Sequence, residues 1–141
     1  MTNTADCPAE TESDEFIFCL PKLRDRKNED GTPALRLLIY TGNLDMSCGV
    51  KGMDHILYHL DWSHGDDWQK LDRTVWAAPR GKIKGFYKTL ENLTQIVIPC
   101  SGHLVPISQP ENSLEMAYNF VFEREFSTYK PLPLKPEIME T

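Results

Sequence analysis

The sequence predicts an α/β fold that corresponds to the last part of an open sheet, incomplete as a stand-alone fold. First, residues 35–40 are almost continuously apolar and are bounded by Pro33 and Gly42, a pattern typical of a strand covered on both faces. Second, a helical pattern follows this strand. Third, two β-rich segments and another helix come after it. About three strands and two main helices are therefore expected, and they scarcely cover the first strand.

Length and composition indicate one globular domain. The chain has 141 residues, of which 40% are hydrophobic and 26% are charged, and its net charge is −6. This charge argues against a nucleic-acid partner, because phosphate binding needs a basic surface. No apolar run approaches the roughly 18 residues that a membrane helix needs, so a membrane partner is not expected either.

The two ends of the chain differ from its middle. Residues 1–15 are polar and acidic, which predicts a disordered leader and not a signal peptide. Residues 16–126 contain the periodic segments and form the predicted domain. Residues 127–141 contain three prolines and are expected to be an extended tail.

The first strand is followed by a helix with one apolar stripe, formed by Val50, Met53, Leu57 and Leu60. Residues 61–72 then form a loop-rich excursion that contains Trp62 and Trp68. These tryptophans could line a pocket, but packing over the core is the favoured interpretation.

The second half of the domain contains a predicted hairpin and a second helix. Residues 82–90 and 93–98 are rich in β-formers and are separated by a short polar junction. Ser108 and Glu111 have the spacing of a capping box, so a helix is expected to begin at Ser108 and to end near Glu125. Its predicted buried face consists of Leu114, Ala117, Tyr118 and Val121.

An acid and a histidine each follow a predicted strand. Asp45 lies in the glycine-containing turn after the first strand, and His103 lies in the turn after the last one. Open α/β sheets present catalytic groups at such strand ends. A carboxylate that holds one ring nitrogen fixes the tautomer of a histidine acting as general base. Alternatively, Asp45 caps the following helix and His103 is an ordinary loop residue.

The sequence offers no matching nucleophile. A serine elbow needs the pattern G-x-S-x-G, and neither Ser47 nor Ser101 has glycines at both positions. Cys48 and Cys100 lie near the two turns, but a pocket or packing role is favoured over a catalytic thiol.

Other candidate sites carry weaker signals. His55 and His59 have i, i+4 spacing on the first helix, but Ile56 stands where a zinc protease has glutamate, and no metal site is predicted. Asn92 begins an N-x-T sequon and would be glycosylated in a secretory setting. The thiol state of the four cysteines stays open between free thiols and a single disulfide: Cys7, Cys19, Cys48 and Cys100.

The two turns together resemble the serine carboxypeptidases, which are α/β-hydrolase peptidases. Residues 38–48 resemble the segment of that family that carries its acid, and residues 102–106 with 109–110 resemble its histidine signature. Residues 85–88 and 92–94 are similar to the hairpin that precedes this signature, and Trp62 and Trp76 fall where the family often has tryptophan. The resemblance runs from about residue 35 to residue 126.

The resemblance implies roles for four residues. Asp45 matches the triad acid, His103 the triad base, and Cys48 and Leu104 fall at positions implied to contact substrate. Asn43, Gly49, Leu104 and Ser108 depart from the residues most frequent in the family. No cofactor is implied, and the family is lysosomal, vacuolar or secreted.

The function expected from this resemblance is that of a carboxy-terminal portion of a serine-type carboxypeptidase. It would supply the acid and base for the release of C-terminal amino acids from peptides, with the serine on a second chain or on other sequence. The chain by itself is not expected to be active. The alternative is an inactive relict or interaction subunit with a carboxypeptidase-like surface.

Overall fold

The computed structural model describes residues 24–60 and 62–127, which form one four-stranded sheet with helices packed against it. None of the described helices is long and apolar enough to cross a membrane. The predicted leader, and the predicted tail beyond Ser127, lie outside the described residues. In chain order the elements are β1 (Leu37–Gly42), α1 (Val50–His59), α2 (Gly65–Lys70), β2 (Thr74–Ala77), a 3₁₀ turn (Pro79–Gly81), β3 (Ile83–Leu90), β4 (Leu93–Ile98), α3 (Val105–Ser108) and α4 (Pro110–Val121).

The sheet has the order β1-β4-β3-β2. β1 and β4 run parallel, with Leu37 opposite Leu93 and Gly42 opposite Ile98, whereas the other two pairs are antiparallel. The predicted β3–β4 hairpin is confirmed, and its junction residue Glu91 has a φ of 54°. Because β1 and β4 are parallel neighbours, their carboxyl ends lie at the same edge of the sheet.

Strand β2 was not predicted from the sequence. It is only four residues long and lies at the far edge of the sheet, where its middle residue Trp76 is buried. The β-formers Thr74, Val75 and Trp76 were the available signal, but the segment is too short for a clear alternating pattern.

β1 lies at the other edge and begins two residues later than predicted. Leu37 and Ile39 pack on one face and Leu38 on the other, so both faces are used as the apolar pattern predicts. All three are only half-buried, and Tyr40 is 42% exposed. None of the described strands pairs with the outer edge of β1, which agrees with the incomplete sheet that the sequence predicts.

Two apolar clusters cover the two faces of the sheet. Alternate residues of β4 point to opposite faces, so Leu93 packs with the α1 and α2 side while Ile96 and Ile98 pack with the α3 and α4 side. The predicted stripe of α1 is confirmed, with Leu57 fully buried. Trp62 and Trp68 are buried with Leu57, which confirms that they pack over the core.

The prediction for the last helix was wrong in its start, end and face. α4 begins at Pro110, and Ser108 is the last residue of the short helix α3 and makes no capping bond. Proline disfavours helical backbone in the residue before it, so Gln109 interrupts the helix and becomes its N-cap. The helix ends at Val121 and not near Glu125.

The face of α4 that packs on the sheet contains polar residues. Ser113, Glu115, Met116 and Asn119 are buried, and Glu115 forms an ion pair with Lys84 of β3. The apolar residues predicted to be buried, Leu114 and Val121, are exposed instead. Apolar periodicity therefore marked a face of α4 on which Leu114 and Val121 are exposed and only Tyr118 is half-buried.

Candidate active site

The two turns that follow β1 and β4 pack directly on each other. Beyond the strands, the backbone N–H of Asn43 donates to the carbonyl of Ile98 (3.1 Å), and that of Leu44 donates to the carbonyl of Ser101 (2.9 Å). Gly42 permits this approach, because a Cβ atom at residue 42 would overlap with the carbonyl oxygens of Ser101 and Gly102. The sequence identified Gly42 as a turn residue but did not indicate this close contact.

The turn after β1 orients Asp45 by bonds within the turn itself. Its Oδ1 atom accepts hydrogen bonds from the backbone N–H groups of Ser47 (2.8 Å) and Cys48 (3.1 Å). Aspartate side chains commonly close turns in this way. α1 then begins at Val50, so Asp45 closes this turn, and Gly49 occupies the N-cap position.

The turn after β4 is fixed by a buried serine and by a residue of the helix region. Ser101 Oγ donates to the carbonyl of Ile98 (2.9 Å), and Gln109 Nε2 donates to the carbonyl of Cys100 (3.3 Å). Cys100 has a φ of 56°, a left-handed conformation that costs free energy for any residue with a Cβ atom. The sequence did not predict these supporting roles.

The two turns bring Asp45 and His103 together. His103 Nδ1–H donates to Asp45 Oδ2 over 2.9 Å, although the residues are 58 positions apart. The Asp45 side chain is 5% exposed and the His103 side chain 62% exposed. The carboxylate is therefore shielded, and the imidazole has its second nitrogen, Nε2, left to exchange a proton with another group.

The hydrogen bond from His103 lowers the pKa of the Asp45 carboxyl from its ordinary value of 3.8. The backbone N–H groups of Ser47 and Cys48 lower this pKa further, since all three bonds favour the charged form. Asp45 is therefore a carboxylate at neutral pH, as a residue that steadies an imidazole must be.

The other predicted site residues have different environments. Cys48 and Leu104 are exposed next to Asp45 and His103 in the sequence. Donor atoms of Asp45, Cys48 and His103 all lie within 4.8 Å of one another, so this group has the ligand types of a metal site. Cys48 and Cys100 are free thiols. His55 and His59 are solvent-facing, with ring centroids 4.1 Å apart.

Asn92, the first residue of the sequon, is buried and its side chain makes two hydrogen bonds. Asn92 is 6% exposed, and its Nδ2 atom, which would carry the glycan, donates to the carbonyls of Arg24 (2.7 Å) and Leu35 (2.8 Å). The side chain ties the β3–β4 junction to the segment before β1. A glycan on this atom is incompatible with both hydrogen bonds.

Comparison with known proteins identifies the family. A family model described as serine carboxypeptidase matches residues 22–123, which is most of the chain and includes both turns. The chain belongs to the serine carboxypeptidase family. The resemblance inferred from the two turns is thereby confirmed.

Two curated carboxypeptidases illustrate the relationship. The pheromone-processing carboxypeptidase KEX1 of Phytophthora infestans is 33% identical over 94 residues, which cover 66% of this chain and 16% of that protein. The venom serine carboxypeptidase of Apis mellifera is 30% identical over 97 residues, covering 69% of this chain and 21% of that protein. The chain therefore spans about a fifth of the length of these relatives.

The fold is also found in a solved carboxypeptidase structure. The chain matches the prohormone-processing carboxypeptidase Kex1 of Saccharomyces cerevisiae with a TM-score of 0.57 and 20% identity. The match covers 76% of this chain and 22% of the yeast chain. The predicted fold class, a partial α/β-hydrolase sheet, is thereby confirmed.

Proposed function

We propose that this chain supplies the acid and the base of a Ser-Asp-His triad in a serine-type carboxypeptidase. His103 takes the proton from a serine hydroxyl at Nε2 and gives it to the departing amino acid, while Asp45 holds Nδ1 and stabilises the imidazolium. The single observation that carries the proposal is the 2.9 Å bond between Asp45 Oδ2 and His103 Nδ1. The product of the proposed reaction is a free amino acid released from the C-terminus of a peptide.

We further propose that the serine comes from outside this sequence, either from a second chain or from other sequence of the same protein. None of the serines among the 141 residues has the glycine pattern of a nucleophile elbow. Large apolar side chains are exposed on both turns and beyond them: Leu44, Met46, Leu104 and Ile107. Met46 is 97% exposed, and so large an exposed apolar side chain supports a covering partner.

The outer edge of β1, with which no described strand pairs, supports the same arrangement. Its half-buried apolar residues and free backbone groups suit pairing with another strand. A strand added there would extend the sheet beside the carboxyl end of β1, where Asp45 lies. A nucleophile at the end of such a strand would lie next to the acid and the base.

The test is complementation with a serine-bearing upstream portion of a related carboxypeptidase. The full chain and this portion are mixed or co-expressed, and release of the last residue from a blocked dipeptide is measured, with fluorophosphonate labelling of the serine. Asp45→Asn should reduce turnover by about ten-thousandfold, because the imidazole loses its tautomer and its counter-charge. His103→Ala should have a comparable effect, and His59→Ala, which changes an exposed histidine on α1, should have none.

The second candidate is an inactive interaction subunit, which the exposed apolar side chains would also suit. Under this candidate, the chain forms a complex with the upstream portion, but the complex releases no amino acid, whether or not it carries Asp45→Asn. The aligned Asp45–His103 bond favours the catalytic proposal, because an interface has no need of it. Labelling of a serine within this chain would contradict both.

A further inference from the structure

A third donor lies beside the Asp45–His103 pair. Cys48 Sγ, a carboxylate oxygen of Asp45 and a ring nitrogen of His103 all lie within 4.8 Å of one another. The proposed proton transfer uses only the last two. A free thiol next to a carboxylate and an imidazole is a combination of ligands that divalent cations of the zinc type bind.

The position of Cys48 is fixed by the turn and does not depend on its side chain. Its backbone N–H donates to Asp45 Oδ1, so the Asp45 side chain determines where the Cys48 backbone lies. Oδ2 of the same carboxylate accepts the hydrogen bond from Nδ1–H of His103, which lies on the other turn. The two oxygens of this carboxylate thus contact the Cys48 backbone and the His103 ring, and the Cys48 thiol lies beside both side chains.

We propose that Asp45, Cys48 and His103 form a binding site for Zn²⁺ or a cation of similar chemistry. Asp45 carboxylate and Cys48 thiolate would supply two negative charges that neutralise the ion, and the thiolate selects Zn²⁺ over Mg²⁺ or Ca²⁺. His103 would bind as a neutral imidazole, the form that ligates zinc. Binding transfers the thiol proton of Cys48 to solvent, and the ring proton of His103 moves from Nδ1 to Nε2 so that Nδ1 can bind the ion.

The distances are compatible with such a site. Donors bonded to Zn²⁺ at about 2.0–2.3 Å in tetrahedral geometry lie roughly 3.3–3.8 Å from one another. His103 Nδ1 and Asp45 Oδ2 are 2.9 Å apart and must separate slightly, whereas Cys48 approaches by rotating its exposed side chain. The exposure of His103 leaves the fourth position open to water.

One consequence depends on the proposed function. A cation held by these three residues occupies the atoms through which Asp45 steadies the imidazole, so a bound ion would block proton transfer. The site would then make a carboxypeptidase containing this chain sensitive to zinc. Cation binding itself does not depend on the serine or on catalysis, so the two proposals can fail separately.

The experiment uses Co²⁺ as a coloured substitute for Zn²⁺, titrated into the full chain under reducing conditions. A thiolate bound to Co²⁺ gives a near-ultraviolet charge-transfer band that a histidine or carboxylate ligand does not give. We expect this band in the wild type, its loss in Cys48→Ser, and its displacement by Zn²⁺. Asp45→Asn and His103→Asn should weaken binding by about tenfold or more, since each removes a ligand.

Matched variants separate this site from the other candidates among the described residues. Cys100→Ser removes the other described thiol and should leave the band unchanged. A His55→Ala, His59→Ala double variant removes the exposed histidine pair of α1 and should do the same. Far-ultraviolet circular dichroism verifies that every variant is folded.

The proposal is overturned by a folded wild-type chain that gives no thiolate band at millimolar Co²⁺. It is equally overturned if the band persists in Cys48→Ser or disappears in Cys100→Ser. Failure of the serine-complementation assay would leave all of these spectra unchanged. Inhibition by Zn²⁺ without the band would indicate that the ion acts elsewhere.

Discussion

The turn after β1 and the turn after β4 both carry a catalytic candidate, but they hold it differently. Asp45 is fixed by its own turn, because Oδ1 accepts two backbone N–H groups within three residues. The turn of His103 is fixed through its backbone, by Ser101 and by contacts to the extension of β1. The His103 side chain itself is held by Asp45.

The orientation of the base thus depends on the acid more than the reverse. The carboxylate is oriented by bonds within its own turn, whereas the imidazole is oriented by the carboxylate. Damage to the turn after β4 should therefore move the base without moving the acid. A substitution that disrupts the contact between the two turns should separate Asp45 from His103.

The largest effect is expected for Gly42→Ala, which would push the two turns apart. The added methyl group overlaps with two carbonyl oxygens, which are backbone atoms and cannot rotate away. We expect a loss of about 3 kcal/mol in the free energy of unfolding, measured by urea denaturation of the full chain. The separated turns should also lose the Asp45–His103 bond, seen as the loss of a slowly exchanging His103 Nδ1 proton in NMR spectra.

Gly52→Ala is the matched control for this substitution. Gly52 lies in α1 with no atom within 4 Å of the position that a Cβ would take. Alanine there should stabilise the chain by about 0.5–1 kcal/mol, because glycine weakens helix interiors. Equal destabilisation by both substitutions would show that close packing of the turns is not what Gly42 provides.

A smaller loss is expected for Ser101→Ala, which weakens only the turn of the base. The buried Oγ hydrogen bond to Ile98 should be worth about 1 kcal/mol. Ser47→Ala, on the exposed part of the acid turn, should change the free energy of unfolding by less than about 0.5 kcal/mol. If Ser47→Ala costs as much as Ser101→Ala, the two turns are not held differently.

Cys100→Gly should stabilise the chain, because glycine adopts a φ of 56° without the steric cost that Cβ imposes. We expect a net gain of about 0.5–1 kcal/mol after the larger entropy of glycine in the unfolded chain is subtracted. Cys100→Ala keeps the Cβ atom and removes the thiol, so it should give no gain. A gain from alanine as well would assign the effect to the thiol and not to the backbone.

The parts of the fold that the sequence predicted are those with a local pattern. The α1 stripe and the β3–β4 hairpin were predicted because their burial periods are short and regular. The buried face of α4 was not predicted correctly. Its sheet-facing side carries the polar residues Ser113, Glu115 and Asn119, while Leu114 and Val121 are exposed. In a chain that spans a fifth of its relatives' length, apolar periodicity also reflects surfaces that the described residues do not bury.

The sequence predicted the two central residues of the candidate site but not the contacts that position them. Asp45 and His103 follow strands and match family motifs, so their types and positions were visible in the sequence. Gly42 and Ser101 contribute through backbone contacts between two turns that are far apart in the chain. Such contacts depend on the register of β1 against β4, which no local pattern specifies.

The smallest effect, and the most specific, concerns the titration of Asp45. His103→Ala removes the largest cause of its lowered pKa, so the carboxyl should titrate at higher pH, followed by carbonyl-detected carbon NMR. Asp30 is the control, because its pKa is lowered by Thr32 in a separate turn and should not move. A lowered folded pKa stabilises the fold above the unfolded pKa, and this contribution disappears as pH falls through the folded value. The variant should therefore lose the Asp45 contribution at a higher pH than the wild type, and an unchanged Asp45 titration would show that the imidazole does not contact the carboxylate in solution.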